Sequence, residues 1–307
     1  MKKTQLQLRP YDAKEDEGAV LMLWGNAFGE SWAVNPAAFR NRLEDAHALV
    51  AERDGAVVGF AAAHAHEDSG QLTALMVRPD FQRKGIGTAL SRASLEWMGK
   101  KGARQARFGS GAGPYLWPGV PSELKPALRF FRKRGWKHAE RLADLVMDVS
   151  SYRAPRWAME RANAAGVKMA PATAKDGPAI LAFEKLHFED WYRSFKEAVS
   201  EKRFDEILLA RMPDGELAGT LLFPPKDRDF TWEPVLGSVG GFGCVGVAEK
   251  FREMGIGMAM CARSMELLRE AGTKTIYVAW VYLIDWYGKL GLKPWREYRA
   301  AQIRLKR

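Results

Sequence analysis

The chain has 307 residues, 47% hydrophobic and 27% charged, which suits two globular domains of ordinary size. Its formal net charge of +10 is spread along the sequence with no basic tail or block, so a nucleic-acid-binding arm is not the reading it favours. Cys244 and Cys261 form no metal-type cluster and no window is apolar for long enough to span a membrane, so a cytoplasmic protein without membrane association or bound metal is expected.

Residues 6–10 read as a short strand followed by a helical segment. Residues 49–60 read as a hairpin turning at Asp54-Gly55, because glycine tolerates the positive φ that a tight primed turn demands. A strand then runs into Val77-Arg78-Pro79-Asp80-Phe81-Gln82-Arg83-Lys84-Gly85-Ile86-Gly87. A helix opens there, with Ile86, Ala89, Leu90, Ala93, Trp97 and Met98 on one apolar stripe. Gly102 stops it, 106–108 form the next strand, and a Gly/Pro-rich stretch over 109–121 precedes Phe130-Phe131-Arg132-Lys133-Arg134-Gly135 and a last strand.

The same order then repeats. Residues 151–166, with Pro155 and a helix-like run behind it, read as a linker. A strand at 167–171, a hairpin at Asp214-Gly215, and a second glycine turn, Arg252-Glu253-Met254-Gly255-Ile256-Gly257, follow in sequence. The second helix keeps Ile256, Ala259, Met260, Leu267 and Leu268 on its stripe but has Arg263 where Ala93 stands. Gly272 ends it, 275–280 form a strand, and Trp286-Tyr287-Gly288-Lys289-Leu290-Gly291 closes the half. Gly85 and Gly255 lie 170 residues apart. The expected organisation is an N-terminal domain over 1–150, a linker over 151–166 and a C-terminal domain over 167–307.

A strand, a glycine turn and a helix N-terminus present free backbone N–H groups and the positive end of the helix dipole, a seat for phosphate. A dinucleotide fingerprint would need a third glycine where Leu90 and Met260 stand, and a Walker loop would need a lysine after Gly87 or Gly257; both are absent. The arrangement Gln/Arg-x-x-Gly-x-Gly, with Gln82, Gly85, Gly87 and Arg252, Gly255, Gly257, resembles the GCN5-related N-acetyltransferase (GNAT) family. With the preceding strand and the closing aromatic-pair segment, the resemblance covers nearly the whole chain as two tandem copies.

The resemblance implies an α/β fold with a mixed sheet in each copy: a mostly antiparallel central sheet with a splayed central strand, flanked by helices. It implies acetyl-CoA as acyl donor and no metal. The diphosphate would rest on Gln82, Arg83, Lys84, Gly85, Ile86 and Gly87, or on Arg252, Glu253, Met254, Gly255, Ile256 and Gly257. The thioester arm would lie along the strand residues from Leu75 to Val77 or from Val245 to Val247. It further implies a tyrosine acid for the leaving thiolate at Tyr287, whose N-terminal counterpart is Phe131.

The loops argue the other way, since Arg83 and Lys84 favour an anion more than Glu253 and Met254 do. Weighing acid against loop, acetyl transfer is expected in the C-terminal half. Glu184, Glu189, Asp190 and Asp285 are candidate bases, and Trp191, Tyr192, Trp280 and Trp286 candidate walls of an acceptor pocket. His64 and His66 share a strand face without a third ligand, which favours a structural pair over a metal site. The 117–121 loop is a candidate gate. The reading is direct attack by a small-molecule primary amine. A non-catalytic acyl-CoA sensor and a peptide or protein N-acetyltransferase are the alternatives, and a homo-oligomer stays open.

Overall fold

The computed structural model describes residues 6–114, 116–225 and 230–305; the extreme ends of the two expected domains and Tyr115 lie outside the described residues. The first half runs β1 (Gln7–Pro10), α1 (Ala13–Phe28), α2 (Pro36–Asn41), β2 (His47–Arg53), β3 (Ala56–His66) and β4 (Ser69–Val77). It continues through α3 (Ile86–Lys100), β5 (Gln105–Phe108), β6 (Val120–Pro121), α4 (Lys125–Arg132) and β7 (Lys137–Asp148). After α5 (Arg156–Ala164), the second half runs β8 (Lys168–Pro171), α6 (Gly177–His187), α7 (Glu189–Ser200), β9 (Ile207–Arg211) and β10 (Leu217–Leu222). It ends with α8 (Glu233–Leu236), β11 (Val239–Gly241), β12 (Gly243–Val247), α9 (Ile256–Glu270), β13 (Thr275–Val281), α10 (Ile284–Gly288) and β14 (Lys293–Arg304). No helix among the described residues is long and apolar enough to cross a membrane.

The local signals account for these elements. Asp54 and Gly55 both take positive φ, 56° and 74°, as a two-residue primed turn requires. The second hairpin differs: Pro213 fixes the turn start, only Gly215 turns left-handed, and Met212 N–H bonds back to Glu216 O across a longer connection. The 151–166 segment carries α5, whose Ala158 and Ala162 are buried against α9.

The halves exchange strands. One sheet runs β1-β2-β3-β4-β5-β14-β7-β13-β11, so the last strand of the second half pairs with β5 of the first. In turn β7, from the first half, pairs antiparallel with β13 of the second. A separate sheet, β12-β10-β9-β8, carries the outer part of the second half. Four strand pairings, β14 with β5, β6 and β7 and β13 with β7, therefore join the halves, which alternation patterns leave unspecified.

Asp144 of β7 fixes the crossing. It is 0% exposed, and its carboxylate accepts from the hydroxyls of Tyr277 on β13 (2.9 Å) and Tyr298 on β14 (2.7 Å) and from the Trp280 amide (3.0 Å). A segment of the second half also enters the first half's core. Trp232 is buried against Trp32, and Asn35 binds the Thr231 carbonyl and the Glu233 carboxylate.

Because neither half closes its sheet alone, calorimetric unfolding of the intact chain should show one cooperative transition rather than two. Asp144→Ala, which removes a fully buried acceptor shared by three donors, should lower stability by about 3–5 kcal/mol in denaturant titration. Two resolved transitions in the native protein would contradict the shared-sheet account.

Candidate active site

Both glycine turns adopt nearly the same backbone. Gln82 and Arg252 are extended (ψ 161° and 158°), Arg83 and Glu253 turn left-handed (φ 58° and 68°), and Gly85 and Gly255 follow at φ 87° and 78°. These turns deliver the free amides at the start of α3 and α9 to one spot, an anion cradle made of main chain. A side chain at Gly85 would meet nothing within 4 Å, so that cradle is open.

The strand edges beside the turns are also prepared. Val77 pairs with Gly59, and the Arg78 amide bonds to Val58 O, so Val77 occupies a non-hydrogen-bonded position and directs its own N–H and C=O away from β3. Leu75 shares that orientation. The same argument holds for Val247, from the Gly219 pairing and the bond from Ala248 N to Ala218 O, while Val245 falls at the register shift between β10 and β12. Neighbouring strands do not take these groups. Pairing of β4 with β5 ends at Leu72, and β13 pairs with β11 only as far as Gly241. Each half therefore has a splayed V with an unpaired main-chain edge ending at an anion cradle, which fits an extended arm bearing a diphosphate.

The two clefts differ in contents. In the first half, residues 109–114 and 116–118 fill the V. Trp117 is 1% exposed, donates its indole N–H to Thr73 O (3.1 Å) and stacks on Trp24 at 5.2 Å. Gln71 pins this loop, accepting from the Ala112 and Gly113 amides and donating to Pro114 O. His64 presses on Gly113, its Nε2 facing Glu44 O and its Nδ1 facing the Thr73 hydroxyl, so it is a satisfied packing residue while His66 stays exposed. Gln82 takes the outward Val77 carbonyl at 3.1 Å. The 117–121 loop is core here, not a surface gate.

The second half carries polar groups at the matching places. One spacing relates Asp16 to Asp176, Val20 to Ile180 and Trp24 to Glu184; strand pairing relates Phe60 to Thr220 and Ala74 to Cys244. Phe131 is matched by Tyr287, as Phe130 and Trp286 both pack on the second glycine of their loops. Glu184 is 0% exposed; one carboxylate oxygen accepts from Thr220 Oγ1 at 2.5 Å and the other has no partner. Burial pushes its pKa up to about 7, against the pull of the Thr220 hydrogen bond.

Cys244 sits at a bulge in the splayed strand with φ 50°. Burial, and then the nearby Glu184 charge, push its thiol up to about 12, so it stays protonated and is no nucleophile. Burial likewise raises the Tyr287 phenol above the ordinary tyrosine range, with Cys261 and Cys244 adding to the shift, which keeps the hydroxyl protonated. Phe188 covers the strand at Gly246 and stacks on Trp191 at 5.0 Å, forming a wall. Trp280 and Tyr282 at the tip of β13 line a cavity of about 190 Å³ with Arg107, Glu140 and Gln302. Trp286 packs by its glycine loop and Tyr192 lies on α7, whereas Glu189, Asp190 and Asp285 are exposed in helix first turns, where they complement the dipole.

Arg161 was not among the sequence candidates. Its Cβ stands 2.8 Å from where a Cβ on Gly255 would be, so α5 lays an arginine on the second loop. The aliphatic stem of Arg161 thus lies against Gly255, and on the preceding turn Lys250 is engaged by Glu216 at 2.5 Å. Glu184 was one of four carboxylates in sequence; its place at i+4 from the core residue Ile180 was the signal that separates it. No group of three or more His, Cys, Asp or Glu placed to hold a metal occurs among the described residues.

Known proteins share this architecture. A solved fungal chain, described as a GCN5-related glucosamine N-acetyltransferase region in a multi-domain GH3 β-N-acetylglucosaminidase, matches with a TM-score of 0.93 and 28% identity over 99% of this chain and 38% of its own. A mycothiol acetyltransferase of Clavibacter sepedonicus is 28% identical over 221 residues, 69% of this chain and 64% of that protein. An uncharacterised N-acetyltransferase of Methanocaldococcus jannaschii is 32% identical over 99 residues, 30% of this chain and 39% of that protein. The chain thus spans between about two-fifths and two-thirds of the length of these proteins. The acetyltransferase (GNAT) family model matches residues 18–136 and again 176–292, so this chain belongs to the GNAT family and carries its domain twice.

Proposed function

We propose that the chain is an acetyl-CoA-dependent N-acetyltransferase whose C-terminal half acetylates the primary amine of a small molecule, an amino sugar of the glucosamine type. One observation carries the choice of half: Glu184, Thr220, Cys244 and Tyr287 converge in the second cleft, while Trp24, Phe60, Ala74 and Phe131 occupy the first. The amino-sugar reading rests on the 28% identity with the fungal glucosamine N-acetyltransferase region.

The acetyl donor supplies a thioester whose C–S bond breaks as the new amide C–N bond forms. Main-chain groups of Val245 and Val247 and the 252–257 amides hold that donor in line, at no side-chain ordering cost. Glu184, through its unpartnered oxygen, accepts the proton the attacking amine loses; a value of about 7 suits that role near neutral pH. Tyr287 holds a proton for the departing sulfur. The protonated Cys244 thiol favours direct attack over an acyl-enzyme. Arg161, whose stem lies against Gly255, adds a second cation to Arg252 at the donor loop.

Thiol release over a panel of amines should be fastest with glucosamine; turnover of peptide amines alone would overturn the acceptor reading. Tyr287→Phe should lower kcat by about 10²–10⁴-fold with little change in KM for acetyl-CoA. If donor binding persists and no amine is turned over by the native protein, the sensor alternative prevails. Arg161→Ala should raise KM for acetyl-CoA several-fold and leave kcat near native; an unchanged KM removes Arg161 from the donor site.

Glu184 makes a signed prediction about pH. Its folded pKa lies above its unfolded value of about 4.3, so the native state binds the extra proton, and its stabilising contribution is complete below that value. Stability should then fall as pH rises to about 7, by on the order of 3 kcal/mol. Glu184→Gln should flatten that slope and also remove the rise of kcat/KM with an apparent pKa near 7. A native pH–rate profile retained in the variant would exclude Glu184 as the base.

A further inference from the structure

A general base must meet its substrate, yet Glu184 is fully buried, and its second carboxylate oxygen is closed to water and without a hydrogen-bond partner. A neighbouring group therefore has to move before an amine can reach it. Thr220, whose hydroxyl binds Glu184 at 2.5 Å, pairs directly with Gly246 across β10 and β12. Residues opposed in this way send their side chains to the same face. Gly246 has none to send, and the Phe188 ring takes the place: a Cβ there would stand 2.6 Å from its Cε2 and 2.8 Å from its Cδ2. Carboxylate and ring thus rest side by side on one cross-strand pair. Phe188 also lies one helical turn beyond Glu184, its amide bonding to the Glu184 carbonyl at 2.8 Å.

The first half has no such socket. Its matching pair is Phe60 with Met76, both buried, so that floor is filled by its own side chains. Threonine and glycine are much smaller, and a packed interior does not leave the difference empty. In the second half a ring from the helix corner fills it. That ring is the removable member of the seal. Thr220 and Cys244 lie within strands, whereas Phe188 is the single residue at which α6 ends and α7 begins. It is half-buried, and its ring leans on the half-buried Trp191 with 5.0 Å between centres. Turning this one side chain to another rotamer vacates the socket.

We propose that Phe188 is a removable plug: its ring closes the socket over Gly246 and seals Glu184, and the acceptor amine reaches the carboxylate only when the ring swings out. The proposal rests on the reading of Glu184 as the base. With the ring in place water is kept from the carboxyl, and burial is what holds its pKa at about 7. The titratable group facing Glu184 from β12 is Cys244, whose thiol stays protonated, and β10 offers the neutral Thr220. Removing the plug then acts on Glu184 by admitting water.

Carbon NMR titration of the labelled Glu184 carboxyl, assigned with Glu184→Gln, reads the seal without turnover. Phe188→Ala should lower its midpoint by about one pH unit or more, toward the ordinary glutamate range. Gly246→Ala, which lifts the ring, should lower it as well. Phe188→Leu, which keeps most of the bulk, should hold it near the native midpoint. In steady-state assays with the amine the native protein turns over fastest, Phe188→Ala should lower KM for the amine several-fold and leave KM for acetyl-CoA unchanged. An unmoved carboxyl midpoint in Phe188→Ala, or a KM for the amine that does not fall, overturns the plug. If the midpoint falls while the kcat/KM profile keeps its native apparent pKa, the base reading fails and the seal stands. Should Gly246→Ala not fold, the two Phe188 variants decide.

Discussion

The buried Asp144 carboxylate is the constraint on which the rest of the molecule hangs. It sits on a strand from the first half, yet its partners are on β13 and β14 of the second. Burying a carboxylate is costly, and burial indeed raises its pKa; three donors make the position tolerable. One of those donors is the Trp280 amide, and Trp280 is turned to φ 56° where the β13–β7 register shifts. The same carboxylate that joins the halves thus also fixes the bend at the tip of β13, beside the splay that forms the second cleft. Architecture and site share one hydrogen-bonded anchor.

The two copies have diverged according to what holds each feature in place. An anion cradle made of main chain needs particular φ and ψ values, so the left-handed residues and glycines recur while their side chains change from Arg83 and Lys84 to Glu253 and Met254. The cleft floor is made of side chains and carries no such backbone demand. In the first half it became a packed aromatic cluster around Trp117, with Phe108 and Phe131 only 4.8 Å apart. Reopening that cleft would mean exposing these rings to water. The second half kept a strained bulge, a buried acid and unpartnered polar atoms, features that sacrifice stability and are typical of working sites.

Much of this was readable in the sequence because it rests on local geometry. Glycine turns, the Asp54-Gly55 hairpin, the helix stripes and the aromatic closing segments each impose a short-range pattern. The outward direction of Val77 and Val247 follows from the same two-residue alternation. Strand exchange was not readable: β7 and β14 show ordinary strand patterns, and nothing in alternation says which neighbour a strand will choose. Nor was the filling of the first cleft. A Gly/Pro-rich stretch signals a loop on the surface, but Gln71, His64 and Trp117 draw this one inward through bonds between residues about forty positions apart.

The linker shows why the second loop can carry a glutamate. Read alone, the Arg252–Glu253–Met254 loop looks like the poorer anion seat, because Glu253 offsets the one cation, Arg252, that the loop carries. Once folded, α5 buries Ala158 and Ala162 against α9, and the same helical phase brings Arg161 onto Gly255. The cation comes from a segment roughly ninety residues upstream, on the connection that exists only because the domain is duplicated. The linker thus sets an arginine stem against a loop whose own Arg252 and Glu253 cancel, while the backbone of that loop is kept. The first half gives the second a strand for its sheet, an aspartate for its bend, and a connection that ends in the helix bearing Arg161.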